Sequence, residues 1–527
     1  MNKKNITIEE TYATAVKNHK KNNLKIAEEL YKEILKINPK HFESNFLLGT
    51  LSVQLNKIDM ARELFEKAIQ IKPNHSNANY NLGNILKSVG KYNQAIRYYQ
   101  KAIQINPNFT EAHNNLGVAY RAVRELQKAK NCYEKVIKIH PGDSGAHNNL
   151  GNIMEELGEN EKSMYYFKKA LEIKPDLIEA QKSISSFYIT KLDNIKKTIN
   201  ESYKTLRMHH DASKFINQKI SLYRLKHDVQ QAEYLSLKNY KINGAEQFQE
   251  IGNKILKHEK NRDDDNNLNQ KILLSDNEIK SLLPYYKTNH IYQTQKKISG
   301  YINPNKNWEN VEEQYFNSPN QIIYIDNFLS DEAIKELRKF CLVSKVWNEE
   351  YHNKYLGAFS DKGFISEIHL KIAIELQQKL PRLFGPYGLA KFWAFKYDST
   401  LGKGINVHAD QAIHNLNFWI TPDKYNKNKN SGGLKVYDVI APKDWNFQEY
   451  NKNTGKIYKF LNDNNANCTN INYKFNRAVL FNSDYFHETD EINFDEGYET
   501  RRINITYLFG YRFNKKMNEI LETGEWN

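Results

Sequence analysis

The sequence predicts a multidomain protein: an N-terminal all-α solenoid, then a C-terminal jelly-roll of short β-strands with flanking helices. Three observations predict it. A chain of 527 residues is too long for one core, so two or three domains are expected. Prolines recur every 34 residues through the first third, at Pro39, Pro73, Pro107, Pro141 and Pro175. From about residue 321 the texture changes to short runs that alternate with period two, separated by turn residues.

The repeat comes first. Glycines keep the same step at Gly49, Gly83, Gly117 and Gly151. So do the small residues Ala27, Ala61, Ala95, Ala129 and Ser163, and the aromatics Tyr31, Phe65, Tyr99, Tyr133 and Phe167. Each unit reads as helix, turn, helix. In the third unit Tyr80, Leu82 and Ile85 lie near one stripe, and Ala95, Ile96, Tyr99, Ala102 and Ile103 form another. Glycine and alanine let the two helices approach closely, and the proline stops the second helix. A 34-residue unit with these marks resembles the tetratricopeptide repeat, over residues 8–177 in five units. The resemblance implies an α-solenoid whose concave groove takes a protein or peptide partner.

Asn81, Asn115 and Asn149 each stand two residues before the glycine of their unit. Stacked amides offer both donor and acceptor, and facing inward they would hold an extended peptide by its backbone. The pattern is similar to the asparagine ladder in the repeats of protein O-GlcNAc transferases. The alternative, that these residues simply solvate the first helix, stays open.

Residues 178–258 keep helical periodicity but lose the 34-residue marks, and read as a helical cap with degenerate repeats. His209 and His210 are adjacent, so on a helix they point about 100° apart and read as surface residues. Residues 259–318 read as a linker, within the charged "HEKNRDDDNNLNQ" of 258–270, followed by mixed structure.

The second domain is expected over 319–515. "QIIYIDNFLSDEAIKELRKFC" reads as a strand, Ile322–Ile325, then a helix capped by Ser330. In "KFWAFKYDS" Trp393, Phe395 and Tyr397 share a face. "NLNFWITPD" is a strand, "NSGGLKVYD" a two-glycine turn into a strand, and "NRAVLFNSDYFHETD" a strand that delivers His487. In the last strand, "RRINITYLFGYR", Arg502, Asn504 and Thr506 share one face, and Ile503 and Ile505 take the other. Such short strands argue for a sandwich or jelly-roll.

The chemistry lies in "NVHADQAIHN". His408 and Asp410 are two apart, so on an extended segment they project to the same side. With a third ligand from a distant strand, for which His487 is placed, they make a 2-His-1-carboxylate set. Such a set holds Fe(II) with positions open for a chelating co-substrate and O₂. A 2-oxoglutarate co-substrate needs a cation for its far carboxylate, best an Arg fork. Arg502 is the candidate on strand alternation, and the adjacent Arg501 is the alternative. Taken in order, "YDSTLGKGINVHAD", "SGGLKVY", "FHETD" and "RRINITY" resemble the Fe(II)/2-oxoglutarate dioxygenases, nearest the prolyl 4-hydroxylase-like branch. Tyr397 matches the tyrosine that precedes His-x-Asp in that branch. The Arg-x-Asn-x-Thr of the last strand is also similar to the alkylated-nucleic-acid demethylases. The resemblance implies a double-stranded β-helix and a catalytic metal set of His408, Asp410 and His487. It also implies co-substrate contacts from Arg502, Tyr397, Asn504 and Thr506.

The neighbours read more plainly. His414 is expected at the surface or behind a ligand, and Trp393 and Trp419 in the core. Asn482 and Asp484 either orient a ligand or make a turn.

The function expected is hydroxylation of a C–H bond, on a protein or peptide recruited by the repeats. The alternatives are an interaction scaffold with an inactive oxygenase-like domain, and an oxygenase acting on a small molecule or glycan. The net charge of +14, from 76 basic against 62 acidic residues, is dispersed among Asn and reads as solvated surface, so no nucleic-acid partner is expected. No run of membrane-spanning length and no signal segment is read, and the three cysteines, Cys132, Cys341 and Cys468, are far apart. A reduced, cytoplasmic location is expected.

Overall fold

A computed structural model describes residues 7–210, 219–260, 271–294, 296–351, 354–398 and 404–510. The expected linker residues 261–270, residues 399–403 of the glycine-bearing run, and 511–515 lie outside the described residues, as do the side chains of His209 and His210. The chain divides into two compact units, Met1–Leu177 and Ile178–Asn527. No described helix is long and apolar enough to cross a membrane.

The first unit is a solenoid of helix pairs. Ile8–Lys20 pairs with Leu24–Ile37, Phe42–Gln54 with Ile58–Ile71, and Ser76–Ser88 with Tyr92–Ile105. Thr110–Ala122 pairs with Leu126–Ile139, and Ser144–Glu156 with Asn160–Ile173. The shared period of glycine and aromatic has a direct cause. A Cβ at Gly83 would meet the Tyr99 ring at 2.7 Å, and one at Gly151 the Phe167 ring at 2.6 Å. The second helix of each pair lays its ring across the bare backbone of the first. Another register, Asn45, Asn79, His113 and His147, reaches back to a repeat proline. Asn45 Nδ2 donates to Pro39 O at 3.0 Å, and His147 Nε2 lies 3.0 Å from Pro141 O. A carbonyl in the turn after one helix is thereby bonded from the start of the next.

The second unit holds twelve described strands. These are β1 (Lys219–Ser221), β2 (Lys271–Leu273), β3 (Ile322–Ile325), β4 (Glu349–Tyr351), β5 (Tyr355–Phe359) and β6 (Leu389–Tyr397). They continue with β7 (His414–Trp419), β8 (Leu434–Ile440), β9 (Cys468–Ile471), β10 (Ala478–Asn482), β11 (Tyr485–Thr489) and β12 (Ile503–Phe509). A seven-stranded antiparallel sheet runs β3-β10-β7-β12-β6-β5-β4, and a three-stranded one β11-β8-β9. β1 and β2 pair by themselves.

Both faces of the large sheet are buried, which explains the unbroken apolar and aromatic texture of its central strands. Phe392 and Ala394 of β6, Leu416 and Phe418 of β7, and Ile503, Ile505 and Tyr507 of β12 pack against helices, among them Asp331–Val343 and Glu367–Lys379. Ser330 caps the first of these, accepting from Ala333 N at 3.2 Å. The other face gives Phe395, Tyr397, Trp419, Val479 and Phe481 to a cluster completed by Leu434, Val436 and Ile471 of the small sheet. The two sheets therefore close on each other.

The helices Ile178–Lys191 and Ile195–His210, read as the start of a cap, belong to this second unit. Ser202 Oγ donates to Ser360 O at 2.5 Å, and Tyr203 OH to Ile365 O at 3.0 Å. Residues from the segment read as linker and mixed structure, Ile298, Ile302, Trp308, Val311 and Tyr315, are buried in the same core.

Candidate metal centre and its surroundings

β6 and β7 are joined by a loop, and His408 and Asp410 lie on it. Asp410 N bonds to Ser483 O at 3.1 Å. His408 forms a two-way backbone bridge with His487 of β11: His408 N donates to His487 O at 3.0 Å, and His487 N to His408 O at 2.8 Å. Two imidazoles far apart in sequence are thus locked side by side, with ring centroids 4.3 Å apart. The candidate ligand atoms of His408, Asp410 and His487 all lie within 4.8 Å of one another.

The backbone also fixes the tautomers. His408 Nδ1 lies 2.8 Å from Asn406 O, and His487 Nδ1 3.1 Å from Tyr485 O. A carbonyl can only accept, so each Nδ1 carries a proton, and the neutral form of each ring has its lone pair on Nε2. Both Nε2 atoms face the carboxylate, His408 at 3.7 Å from Asp410 Oδ1 and His487 at 3.4 Å from Oδ2. Burial and the neighbouring His487 ring push His408 down to about 4, which keeps it neutral at pH 7. Burial pulls Asp410 upward, but His487, His408 and Asn415 outweigh it and hold the carboxyl below its ordinary value. Two imidazole Nε2 atoms and one carboxylate, close to one point, fit a divalent first-row metal.

Arg502 and Arg501 go to opposite sides, as alternation requires. Arg501 is buried on the helical side, its Nη2 3.5 Å from Asp398 Oδ2. Arg502 lies between the sheets, with its guanidinium carbon 4.9 Å from the Tyr397 ring, 5.8 Å from Trp419 and 6.0 Å from Tyr473. Its Nε donates to Gly432 O at 2.6 Å, Nη2 to Gly433 O at 3.3 Å, and Nη1 to Asn504 Oδ1 at 3.1 Å. These use three of its five donors. Among the described residues no carboxylate forms an ion pair with it. A buried cation held by carbonyls and ring faces, with donors to spare, has the chemistry to pair with an anion.

The two-glycine turn makes this possible. Gly432 has a φ of +83°, and a Cβ on Gly433 would fall 1.8 Å from Ile471 O. Only glycine lets both carbonyls reach the guanidinium. Thr506, on the same face as Arg502 and Asn504, accepts from Asn417 Nδ2 at 3.0 Å.

Trp419 is fully buried and Trp393 partly so. His414 is in the core rather than at the surface. Its ring packs on Phe384 and Tyr387, and its Nδ1 lies 3.3 Å from Tyr315 OH. Tyr315 and Phe384 come from sequence-distant helices and Tyr387 from the turn that follows one, so nothing near residue 414 announces them. Asn482 Oδ1 accepts from Asp484 N at 3.0 Å, a turn role. Sequence reasoning missed Asn415, whose Nδ2 lies 2.6 Å from Asp410 Oδ2.

In the repeats Asn81, Asn115 and Asn149 are all half-buried. Asn115 is already engaged. Its Nδ2 donates to Tyr80 OH at 3.0 Å and Asn84 Oδ1 at 2.9 Å, and its Oδ1 accepts from Lys87 Nζ at 2.9 Å.

Family models described as tetratricopeptide repeats match residues 42–75, 64–97, 83–122, 110–143 and 132–164. Among solved structures, that of MamA is 30% identical and covers 31% of this chain and 94% of its own, with a TM-score of 0.30. YrrB, titled a TPR protein with an unusual peptide-binding site, is 25% identical, covers 33% and 90%, and scores 0.32. MamA 41-end from Desulfovibrio magneticus RS-1 is 20% identical, covers 32% and 96%, and scores 0.31. No curated protein matches the chain. The first unit is built of tetratricopeptide repeats.

Proposed function

We propose that the unit following the tetratricopeptide repeats is an Fe(II)- and 2-oxoglutarate-dependent dioxygenase, and that the repeats recruit the protein or peptide it hydroxylates. The facing sheets are read as a double-stranded β-helix, nearest the prolyl 4-hydroxylase-like branch. The observation that carries the reading is the convergence of two imidazole Nε2 atoms and one carboxylate, in a unit that also buries an arginine with no carboxylate partner among the described residues.

His408 and His487 would hold the metal through Nε2, and Asp410 through its carboxylate. Arg502 would take the far carboxylate of 2-oxoglutarate with its unused N–H groups. Asn504 holds that guanidinium in place, while Tyr397, Trp419 and Tyr473 wall it from water. Thr506 and Asn417 add a polar step on the same inner face. With both groups bound, the centre supplies O₂-dependent hydroxylation of a C–H bond, coupled to conversion of 2-oxoglutarate to succinate and CO₂. In the groove, Asn81 and Asn149 are offered to a peptide backbone, and Asn115 joins them only if the peptide displaces Lys87, Asn84 or Tyr80.

The test is succinate formation by the full chain with Fe(II), 2-oxoglutarate and O₂. The expected outcome is turnover in the wild type and none in His408→Ala. Equal succinate from both contradicts the metal set, and none from either leaves a protein-binding scaffold.

A further inference from the structure

β7 carries a polar row on its inner face, Asn415, Asn417 and Trp419, while Leu416 and Phe418 pack among the helices. A polar group left unbonded in such a core costs free energy, so the bond that Asn415 does make is informative. Asn415 is fully buried, and its Nδ2 lies 2.6 Å from Asp410 Oδ2. The chemistry fixes which end of the amide faces the acid, because a metal-ligating carboxylate can only accept.

The two partners differ in rigidity. Asp410 sits on a loop, and the terminal torsion of an aspartate is broad. Asn415 sits in a central strand, paired with Phe481 of β10 on one side and Leu508 of β12 on the other. The donor is fixed by the sheet, and the ligand is fixed by the donor.

We propose that Asn415 is a positioning residue for Asp410: its amide holds Oδ2 and so fixes the carboxylate facing the two imidazoles, with Oδ1 3.7 Å from His408 Nε2 and Oδ2 3.4 Å from His487 Nε2. This rests on reading His408, Asp410 and His487 as a metal centre. Groups that orient a metal ligand from behind typically matter by about 10–100-fold in metal affinity.

The test is titration of the full chain with Co(II) as an Fe(II) substitute, comparing wild type with Asn415→Leu, which has nearly the same size and no amide. Unfolding temperature, with and without Co(II), is read alongside. The expected result is a Kd about 10–100-fold weaker in the variant, and a smaller Co(II)-induced rise in unfolding temperature. A residue that only supports the fold would lower the metal-free unfolding temperature and leave the Kd at the wild-type value, which overturns the proposal. Should the leucine variant fail to fold, Asn415→Ala, too small to clash, is measured in the same way with the same two outcomes. If the wild type itself takes up no Co(II), the metal-centre reading falls and the role of Asn415 falls with it. Wild-type binding matched by the variants removes only the role of Asn415.

Discussion

The repeat unit and the sheet unit solve the same problem, burying apolar surface, in opposite ways. In the repeats every contact is between neighbours along the chain. Gly83 receives Tyr99, Gly117 receives Tyr133, and Gly151 receives Phe167. In the sheet unit the decisive contacts are remote: His408 bridges to His487, and Gly432 and Gly433 clamp Arg502. Near-neighbour packing makes a surface that tolerates graded change. Remote convergence makes one point where a single residue matters.

The two units can be separated in one experiment, because all six tryptophans lie beyond residue 300, and indole fluorescence reports on the sheet unit alone. The largest expected effect is on its acid stability. Burial pushes His369 and His414 down to about 3. Their unfolded value is about 6.5, so between these limits the unfolded chain binds more protons. The stability is therefore full above about pH 6.5 and lost as pH falls through this window. At pH 5 each histidine costs up to about 2 kcal/mol. Unfolding followed by tryptophan fluorescence should shift downward between pH 7 and pH 5, and His369→Phe should reduce the shift.

Next is Arg502→Lys, which keeps the charge and loses the fork. We expect the KM for 2-oxoglutarate to rise about 30-fold, equivalent to about 2 kcal/mol, with metal affinity unchanged. Gly117→Ala attacks the other unit. A Cβ there meets the Tyr133 ring at 2.7 Å. It should destabilise the repeats by about 1–3 kcal/mol, seen as lost helical circular dichroism on heating, and leave the tryptophan transition in place. The smallest effect is expected from joint replacement of Asn81, Asn115 and Asn149 by alanine: capture of a polypeptide substrate weakens, while succinate formation without that substrate is unchanged. Equal loss of both would tie the groove to the chemistry and erase the contrast between the units.

The same contrast explains what could be read from sequence. A period of 34 is a local signal, so the helix pairs were legible down to the residues that touch. A further register was equally visible and went unused: Asn45, Asn79, His113 and His147 all bond back to a proline carbonyl. It hid because amide and imidazole do one job with two residue types. In the sheet unit, the alternation that runs from Arg501 into β12 separates Arg502 from Arg501 without any structure. What alternation cannot supply is the partner. That the carbonyls of Gly432 and Gly433 turn onto Arg502 is a backbone fact, carried by no side chain. Asn415 follows Asp410 closely in the chain, but only the turn between loop and strand folds its amide back onto the carboxylate. The helices after residue 178 carry ordinary amphipathic patterns, and such patterns do not say which surface they cover.

The central claim is that one metal and one 2-oxoglutarate share a site built by His408, Asp410, His487 and Arg502. Calorimetric titration of the full chain with 2-oxoglutarate, under anaerobic conditions with and without Fe(II), tests it most directly. The account predicts one metal per chain, 2-oxoglutarate binding that requires the metal, and loss of both in His487→Ala. Metal-independent binding of 2-oxoglutarate, or binding that survives the substitution, would contradict it.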